Sequence, residues 1–521
     1  MIVENQDEVI SFLDQPENYR NYLPDLSEIT VTRIDTHGAV VFLVGPFAFK
    51  MKRAVYFEYM DFSTLARREI CCLAELTHNR RTSADIYKKV IAVVRSPSGQ
   101  LVLGGEGDVV EWLVEMNRFD ENKVFDRLAL RGELGTDLVS ETADMICEFF
   151  DQIEKKFEAG IADTIPEIVE ETARQLVEGV PEVFNQTEVD ALIRAQREAC
   201  AGLGSIFDQR REEGFVRLCH GDLHLRNICL FDGKPMLFDA IEFNDRLAIS
   251  DILYDLAFLL MDLLHRGLFA HANLVMNRYL ERTGDDDGLA LLKLYLSVRA
   301  GIRAFTAIPA AANQSDAVVA ERVRKGAREY LALSTSFLQQ TKPVLVGVGG
   351  FSGSGKSTLA LQLASRLSGP IGAVVLRSDV IRKAMFSLMP TETLGPDGYS
   401  SAVTKKVYDK LMSRASGILQ SGTSVIVDAV QARAEERRSL EEIARNLQLP
   451  FHGLWLEAPV ETMSLRIEKR KNDASDADVD VLRQQLKYDT GEMTWSVLDG
   501  GLAREETLET ACSMISEQNN V

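Results

Sequence analysis

The chain has 521 residues, of which 46% are hydrophobic, and it carries a formal net charge of −20. This length exceeds one ordinary domain of about 150 residues, and the hydrophobic share excludes a disordered protein. The negative charge opposes binding to a nucleic-acid backbone. A charge of this size is typical of a soluble cytosolic protein.

Membrane insertion and secretion are not indicated either. The most apolar run, 252–264, is interrupted by Asp255 and Asp262, and the N-terminal sequence MIVENQDEVISFLDQ lacks the basic start and apolar block of a secretion signal. Seven cysteines are scattered without a CxxC pair, which favours reduced thiols over disulfides or a zinc site. We therefore expect a cytoplasmic protein that binds neither membrane nor nucleic acid, of unknown oligomeric state.

The first half of the chain is predicted to contain a β-rich lobe, 1–116, and a helical lobe, 117–335. Short apolar or alternating runs with Gly or Pro nearby predict strands at 39–44, 47–52, 90–94, 101–103 and 109–114. One helix is expected among them, at about 63–78, with Ser63 as its N-cap. In the helical lobe a short β-rich insert is expected at 217–243.

A linker at 336–343 precedes the last predicted domain, 344–521. Its strands are expected at 344–349, 373–376, 424–430 and 451–457, with helices between them. Strands that alternate with helices in this way predict a parallel sheet flanked by helices. The fold class is therefore an α/β multidomain chain.

The segment 350–357, GFSGSGKS, matches the P-loop pattern GxxxxGK[ST] between a predicted strand and a predicted helix. The glycines allow backbone N–H groups to point at phosphate oxygens, and the helix adds its positive end. An unliganded glycine-rich turn is the weaker interpretation, because the context also matches. We expect ATP, or GTP, to bind with Mg²⁺ held by the Ser357 hydroxyl, and the nucleotide-binding residues to be Gly350, Gly353, Ser354, Gly355, Lys356, Ser357 and Thr358.

Two acidic residues follow strands of the same sheet, Asp379 after the second and Asp428 in the third. Carboxylates at the carboxyl edge of parallel strands face the ligand crevice. We interpret Asp379 as the catalytic group that accepts the proton of a substrate hydroxyl, with Arg382 holding an anionic group. Asp428 would hold Mg²⁺ through water, as a Walker-B carboxylate does. The alternatives are a helix N-cap for Asp379 and a structural strand-end role for Asp428.

Arg466 and Arg470 lie four residues apart on a predicted helix, beside a polar loop. Such a segment can close as a lid and bring guanidinium groups to the transferring phosphoryl, so we assign both arginines a catalytic role. A solvated charged helix is an equally good interpretation. The stretch 344–486 resembles the small P-loop kinases, the group that includes gluconate kinase, zeta toxins and chloramphenicol phosphotransferase, which implies phosphorylation of an acceptor.

A second group of candidate functional residues lies in the first half. Residues 220–227 read HGDLHLRN, and Asp239 follows at the end of the apolar run KPMLFD. Phosphoryl transfer needs a carboxylate that orients the acceptor hydroxyl and two groups that hold Mg²⁺. Asp222 suits the first role, and Asn227 and Asp239 suit the second. A polar turn between strands is the alternative for an isolated HGD, but this spacing argues against it.

These residues resemble the aminoglycoside phosphotransferase-like kinases, relatives of the protein kinases, over about 36–264. The resemblance implies a bilobal protein-kinase-like fold in which Lys50 contacts the nucleotide phosphates, with Lys52 as the alternative. The carboxylate partner of this lysine would be Glu75 or, as a second choice, Glu69.

The resemblance also implies a hinge at 112–118, where the backbones of Glu115 and Met116 meet adenine, and it makes Asp251 and Asp255 structural braces of the catalytic loop. No GxGxxG precedes Lys50, and 36–39 would be a minimal phosphate loop.

The segment IEFND follows Asp239, and NRR follows the helix of the first lobe. With these segments, the whole chain resembles bacterial fusions of a phosphotransferase domain with a P-loop ATPase domain. We expect a Mg²⁺- and ATP-dependent phosphotransferase that acts on a hydroxyl group of a small molecule, such as a sugar, a metabolite or an antibiotic-like compound. The alternative is that the N-terminal half is a ligand-sensing or regulatory module that controls a toxin-like P-loop kinase.

Overall fold

The computed structural model describes residues 2–57, 60–158, 161–312, 314, 316–470 and 473–518. Contacts divide the chain into two compact units. The first comprises Met1–Glu170 and Gly204–Asp262, and the second comprises Glu171–Leu203 and Leu263–Val521. The HGDLHLRN motif lies in the first unit and the P-loop in the second. The domain bounds 1–116, 117–335 and 344–521 stay a prediction.

A six-stranded antiparallel sheet begins the first unit, with strand order β1-β2-β3-β8-β6-β7. Alternation of apolar side chains buries one face, which includes Phe42, Phe49 and Leu113. The predicted strands 39–44, 47–52 and 101–103 are confirmed at both ends. The strands are β1 (Val31–Asp35), β2 (Ala39–Val44), β3 (Phe47–Lys52), β4 (Tyr56–Phe57), β5 (Met60–Asp61), β6 (Tyr87–Arg95), β7 (Leu101–Leu103) and β8 (Asp108–Asn117).

Two helices accompany this sheet, α1 (Asp7–Leu13) and α2 (Leu65–Ser83). The expected N-cap at Ser63 is wrong by one residue. Thr64 caps α2, because its backbone is extended and its hydroxyl accepts a hydrogen bond from the Arg67 N–H at 3.3 Å.

Residues 117–265 are mostly helical, and the β-rich insert forms two short ribbons. β9 pairs with β12, and β10 pairs with β11. The residues between β9 and β10 therefore form a loop supported on both sides. The elements are α3 (Phe125–Leu130), α4 (Thr136–Gln152), α5 (Ile161–Glu178), α6 (Gln186–Glu212), β9 (Val216–Leu218), β10 (Ile228–Phe231), β11 (Lys234–Leu237), α7 (Asp245–Ala248), β12 (Ile249–Asp251) and α8 (Ile252–His265).

The second unit contains a five-stranded parallel sheet with strand order β14-β15-β13-β16-β17. The predicted parallel sheet is confirmed. Three helices precede this sheet in the chain: α9 (Phe269–Thr283), α10 (Leu289–Ala312) and α11 (Ala317–Phe337). The strands of the sheet and the helices around it are, in chain order, β13 (Leu345–Gly350), α12 (Lys356–Ala364), β14 (Ala373–Arg377), α13 (Ser378–Ala384), α14 (Ser401–Gln420), β15 (Ser424–Asp428), α15 (Ala434–Leu447), β16 (Phe451–Glu457), α16 (Val460–Lys469), α17 (Val479–Gln485), β17 (Ser496–Asp499) and α18 (Arg504–Gln518).

Two asparagines of α9 cover the edge strand β14. The Asn273 amide donates to the carbonyls of Ile371 and Ala373 at 2.7 and 2.9 Å. Asn277 donates to the Ala373 carbonyl at 3.1 Å and accepts from the Val375 N–H at 2.7 Å. An edge strand otherwise presents unpaired main-chain groups. Helix α9 is therefore an integral part of the P-loop unit.

Across the described ranges, every helix is too short or too polar to cross a membrane.

Candidate nucleotide and phosphoryl-transfer sites

The HGDLHLRN loop is held in place by carboxylates of α8. Asp255 accepts hydrogen bonds from the N–H groups of His220 and Gly221, each at 2.9 Å. Asp262 accepts from the Leu225 N–H at 3.1 Å, a contact that the sequence did not predict. Asp255 therefore makes the bracing contact expected of it. The other expected brace, Asp251, forms a buried ion pair with Arg210 at 2.5 and 2.9 Å.

His220 is a structural member of this loop. Its ring is fully buried, Nε2 lies 3.0 Å from the Phe238 carbonyl, and Nδ1 accepts from the Asp222 N–H at 3.4 Å. Burial lowers the pKa of His220 below its usual value of 6.5. The ring is therefore neutral at physiological pH and carries its proton on Nε2.

Asp222 lies at the centre of the loop with its side chain 37% exposed. The Asn227 amide donates to both the carbonyl and Oδ2 of Asp222 at 2.9 Å, and His224 Nε2 is 3.4 Å from the same Oδ2. The carboxylate is thus oriented from one side and open to solvent on the other. This is the arrangement that a group needs to receive an acceptor hydroxyl.

Two lysines of β3 converge on Glu75 of α2. Lys50 Nζ is 2.8 Å from Glu75 Oε1, and Lys52 Nζ is 2.7 Å from Oε2. Lys50 also reaches Asp239 Oδ1 at 2.5 Å, and Lys52 pairs with Glu242. The Lys50 side chain is 15% exposed and that of Lys52 is 2% exposed. Lys50 is therefore the lysine on the open side, whereas Lys52 is sealed inside.

The opposite charges of this cluster stabilise the ionised form of each group. Burial would lower the pKa of Lys50, but Asp239 and Glu75 outweigh it and hold that pKa well above its usual value. Burial would raise the pKa of Glu75, but Lys50 and Lys52 outweigh it and keep that pKa low. Partial burial of Asp239 is outweighed by Lys50 in the same way, so its pKa is also lowered. All three groups of the Lys50–Glu75–Asp239 chain are therefore charged at neutral pH.

Glu115 and Met116 lie within β8. Glu115 is in register with Phe49 of β3 and Lys89 of β6, and Met116 with Ala48 and Tyr87. The hydroxyl of Tyr22 donates to the Glu115 carboxylate. The main chain of both residues is flanked by strands on either side, and their contact with adenine stays a prediction.

The P-loop connects β13 directly to α12. Gly353 has a φ of +81°, and a β-carbon there would lie 2.5 Å from the Met463 carbonyl of α16. Gly355 precedes α12 with a φ of +101°, so Lys356, Ser357 and Thr358 form the first helical turn, half-buried. The side chain of Gln485 accepts from the Ser352 N–H at 2.8 Å. The loop geometry is that of an anion-binding helix N-terminus.

Arg466 contacts main-chain carbonyls of the P-loop. Its Nη1 donates to the carbonyls of Gly353, Ser354 and Gly500 at 3.4, 3.2 and 2.8 Å. Helix α16 ends at Lys469, and Arg470 lies just beyond it with an extended backbone. The expectation from the sequence that Arg466 and Arg470 share one helix face is therefore wrong. Arg470 instead donates to the Ser475 carbonyl at 3.3 Å and lies 3.4 Å from Asp473.

Asp379 and Asp428 lie at the carboxyl edge of the sheet. Helix α13 begins at Ser378 after an N-cap at Arg377, so Asp379 is in the first turn and the N-cap interpretation is wrong. Asp428 Oδ2 is 3.4 Å from Arg377 Nε. Arg382 donates to the Gly398 carbonyl at 2.8 Å and stacks over the ring of Tyr399. Its guanidinium therefore supports the loop beside Asp379.

The donor atoms at both sites fit Mg²⁺. Asp428 Oδ1 is buried without a hydrogen-bond partner among the described residues, as expected of an oxygen that accepts from a metal-bound water. Within the same residues, no group of three or more His, Cys, Asp or Glu side chains could hold a metal. Mg²⁺ needs fewer, because it is commonly bound by one or two carboxylates together with substrate phosphates. Ser357 with Asp428, and Asn227 with Asp239, are sets of that kind.

Several residues of these sites were given no role from the sequence, namely Glu242, Asp262 and Gln485. Glu242 lies in the segment IEFND, which carries the resemblance to the two-domain fusions, whereas Asp262 and Gln485 lie in no such segment. Asp262 and Gln485 reach the two loops from helices far along the chain, and only the fold brings them there.

Comparison with known proteins assigns the class. Residues 122–292 match the family model "Phosphotransferase enzyme family", and residues 345–489 match the model "AAA domain". The chain is thus a fusion of a kinase-like phosphotransferase domain and a P-loop domain, as the motifs predicted. Both kinds of domain use a nucleotide.

The chain is also similar over most of its length to an uncharacterized protein of Mycobacterium tuberculosis, with 29% identity over 472 residues that cover 88% of this chain and 90% of the relative. Among solved structures, a sugar kinase from Janibacter sp. covers 33% of this chain and 93% of its own, at 23% identity and a TM-score of 0.25. A choline kinase from Cryptosporidium parvum covers 64% and 95%, at 12% identity and a TM-score of 0.41.

Proposed function

We propose that this protein is an ATP-dependent phosphotransferase with two nucleotide-binding sites, and that it phosphorylates a hydroxyl group of a small molecule. The observation that carries the proposal is the cluster of Lys50, Glu75 and Asp239 in the same unit as the braced Asp222–Asn227 loop. A lysine held by a buried glutamate, a metal-binding aspartate and a hydroxyl-orienting aspartate are the parts that kinase chemistry requires.

In the first unit each residue takes one role. Lys50 binds nucleotide phosphates, and Glu75 fixes the direction of its side chain. Asn227 and Asp239 hold Mg²⁺, which neutralises charge on the phosphates. Asp222 orients the acceptor hydroxyl and receives its proton as the oxygen attacks the terminal phosphorus and the bond to ADP breaks.

In the second unit the P-loop N–H groups and Lys356 bind the nucleotide phosphates, while Ser357 and Asp428 hold Mg²⁺. Asp379, in the first turn of α13, receives the acceptor proton. Arg466 keeps the P-loop in shape through its carbonyl contacts, and Arg470 holds Asp473 and Ser475. Both arginines thereby support transfer of the phosphoryl group.

The test is a screen of sugars, other hydroxylated metabolites and aminoglycosides for acceptor-dependent release of ADP or GDP by the full-length protein. Asp222→Asn and Lys356→Ala variants assign any activity to one unit. Activity lost in Asp222→Asn alone supports a kinase site in the first unit. Activity lost in Lys356→Ala alone, with Asp222→Asn equal to wild type, rejects that site and favours the regulatory alternative. Absence of activity on every compound would contradict the proposal.

A further inference from the structure

Each of the four consecutive residues 239–242 is hydrogen-bonded or ion-paired to a side chain of the six-stranded sheet or of α2. The Asp239 N–H donates to the Tyr87 hydroxyl at 3.1 Å. The Ala240 N–H donates to Asn79 Oδ1 at 2.9 Å. The Ile241 carbonyl lies 3.0 Å from His78 Nδ1, and the Glu242 carboxylate pairs with Lys52. Side chains from α2, β3 and β6 thus hold this segment at every residue.

The fastened segment begins at a residue with an unusual backbone. Asp239 has a φ of +62°, in the left-handed region that residues with a β-carbon rarely adopt. Such a conformation persists only when its surroundings impose it. The N–H groups of Asp239 and Ala240, which belong to the peptide bonds before and after the Asp239 Cα, both donate hydrogen bonds. These two bonds fix the backbone at Asp239 and thereby the direction of its carboxylate.

The fastening side chains are themselves fixed. Tyr87 and Asn79 are buried, and the Asn79 amide donates to the Glu75 carbonyl of its own helix at 2.9 Å. Lys52 is buried over the ring of Phe62 and is shared with Glu75 at 2.7 Å. The segment therefore has rigid partners. These partners lie in β3, β6 and α2, and β3 also carries Lys50. The same elements therefore determine the positions of both Lys50 and Asp239.

We propose that Tyr87, Asn79 and the Lys52–Glu242 pair are positioning residues that fix the carboxylate of Asp239 for Mg²⁺. In this proposal they act through the backbone of residues 239–242 and not by direct contact with nucleotide or metal. The proposal rests on the proposed function, in which Asp239 is a Mg²⁺ ligand. It predicts that these residues affect the metal dependence of nucleotide binding and not nucleotide binding in general.

The experiment uses the full chain with Lys356→Ala, which silences the P-loop. A non-hydrolysable ATP analogue is titrated at a series of Mg²⁺ concentrations. Tyr87→Phe removes only the hydroxyl that accepts from Asp239, and Asn79→Ala removes the partner of Ala240. Each is expected to weaken the apparent Mg²⁺ affinity about fivefold, the effect of one net hydrogen bond, with metal-free binding unchanged. Tyr19→Phe is the matched control, because it removes a buried hydroxyl that donates to the Leu13 carbonyl at 2.8 Å in the same unit.

The outcomes separate the inference from the function on which it rests. If Tyr87→Phe and Asn79→Ala show the Mg²⁺ dependence of Tyr19→Phe while Asp239→Asn abolishes it, the positioning role is wrong and the metal site stands. If the Lys356→Ala chain binds no nucleotide in a Mg²⁺-dependent manner, the proposed function of this unit fails and the inference fails with it. Should Asn79→Ala not fold, Tyr87→Phe against Tyr19→Phe still decides.

Discussion

Substitution of Glu75 by Gln tests the charge cluster of the first unit. Glu75 is fully buried, and each of its oxygens accepts from one lysine, at 2.8 Å from Lys50 and 2.7 Å from Lys52. Glutamine retains the size of the side chain and one oxygen but removes the negative charge. The two buried ammonium groups then have only Asp239 and Glu242 as negatively charged partners.

Removal of one partner of a buried ion pair lowers the free energy of unfolding by about 3–5 kcal/mol. Because each lysine retains a second carboxylate, we expect the lower end of that range, about 3 kcal/mol, for Glu75→Gln. The lysines hold the pKa of Glu75 below its ordinary value of 4.5. A depressed carboxyl pKa stabilises the fold above the unfolded-state value, and this stabilisation disappears as pH falls through the folded-state value. The difference between wild type and variant should therefore shrink below about pH 4.5.

Hydrogen exchange of peptides from β3 and α2 in the intact chain measures this effect without a contribution from the second unit. A loss of about 3 kcal/mol corresponds to about a hundredfold lower protection. Glu69→Gln is the matched control, since it makes the same chemical change at a half-buried position of the same helix. Equal protection in the two variants would refute the assignment of Glu75, and a larger loss in Glu69→Gln would favour the second choice made from the sequence.

Three further expectations concern the P-loop unit and the catalytic loop. In a chain that carries Asp239→Asn, Arg466→Ala should weaken ATP binding at the P-loop about tenfold or more, because charged hydrogen bonds to loop carbonyls are lost. Arg470→Ala should change this affinity little. Equal effects of the two substitutions would contradict the different roles given to the two arginines. Asn277→Ala should lower hydrogen-exchange protection of β14 by the equivalent of about 1–3 kcal/mol, since the Val375 N–H loses its partner, and unchanged protection would show that α9 does not support the edge. Burial lowers the pKa of His220, so the unfolded chain takes up a proton below about pH 6.5 that the folded ring resists. The stability of the first unit should therefore fall as pH drops below about 6.5. Melting temperatures measured from pH 7.5 to 5 test this, and an equal pH dependence of the melting temperature in His220→Asn would contradict it.

The sequence predicted those parts of the sites that chemistry concentrates in short motifs. The P-loop glycines, the HGDLHLRN loop and the strand-end Asp239 needed only spacing and context. The choice between Lys50 and Lys52 could not be made in this way, because residues two apart on a strand point the same way. Exposure separates them, and exposure depends on what packs above β3.

The parts that escaped prediction are single polar residues on ordinary helices and strands. Tyr87 looks like an ordinary core position in the sequence, and Asn79 was noted only as part of the segment NRR. Both acquire a role because the 239–242 segment passes beside them. Asn273 and Asn277 likewise match no motif, although together they cover the edge of the parallel sheet. Such contacts join residues roughly 100–160 positions apart in the chain.

The central claim is that one chain carries two independent nucleotide sites, and the stoichiometry of binding tests it most directly. Isothermal titration of the full-length protein with a non-hydrolysable ATP analogue and Mg²⁺ should give two sites in wild type. Lys356→Ala and Asp239→Asn should each leave one site, and the double variant none. A single site in wild type that disappears with Lys356→Ala and is unaffected by Asp239→Asn would contradict the account.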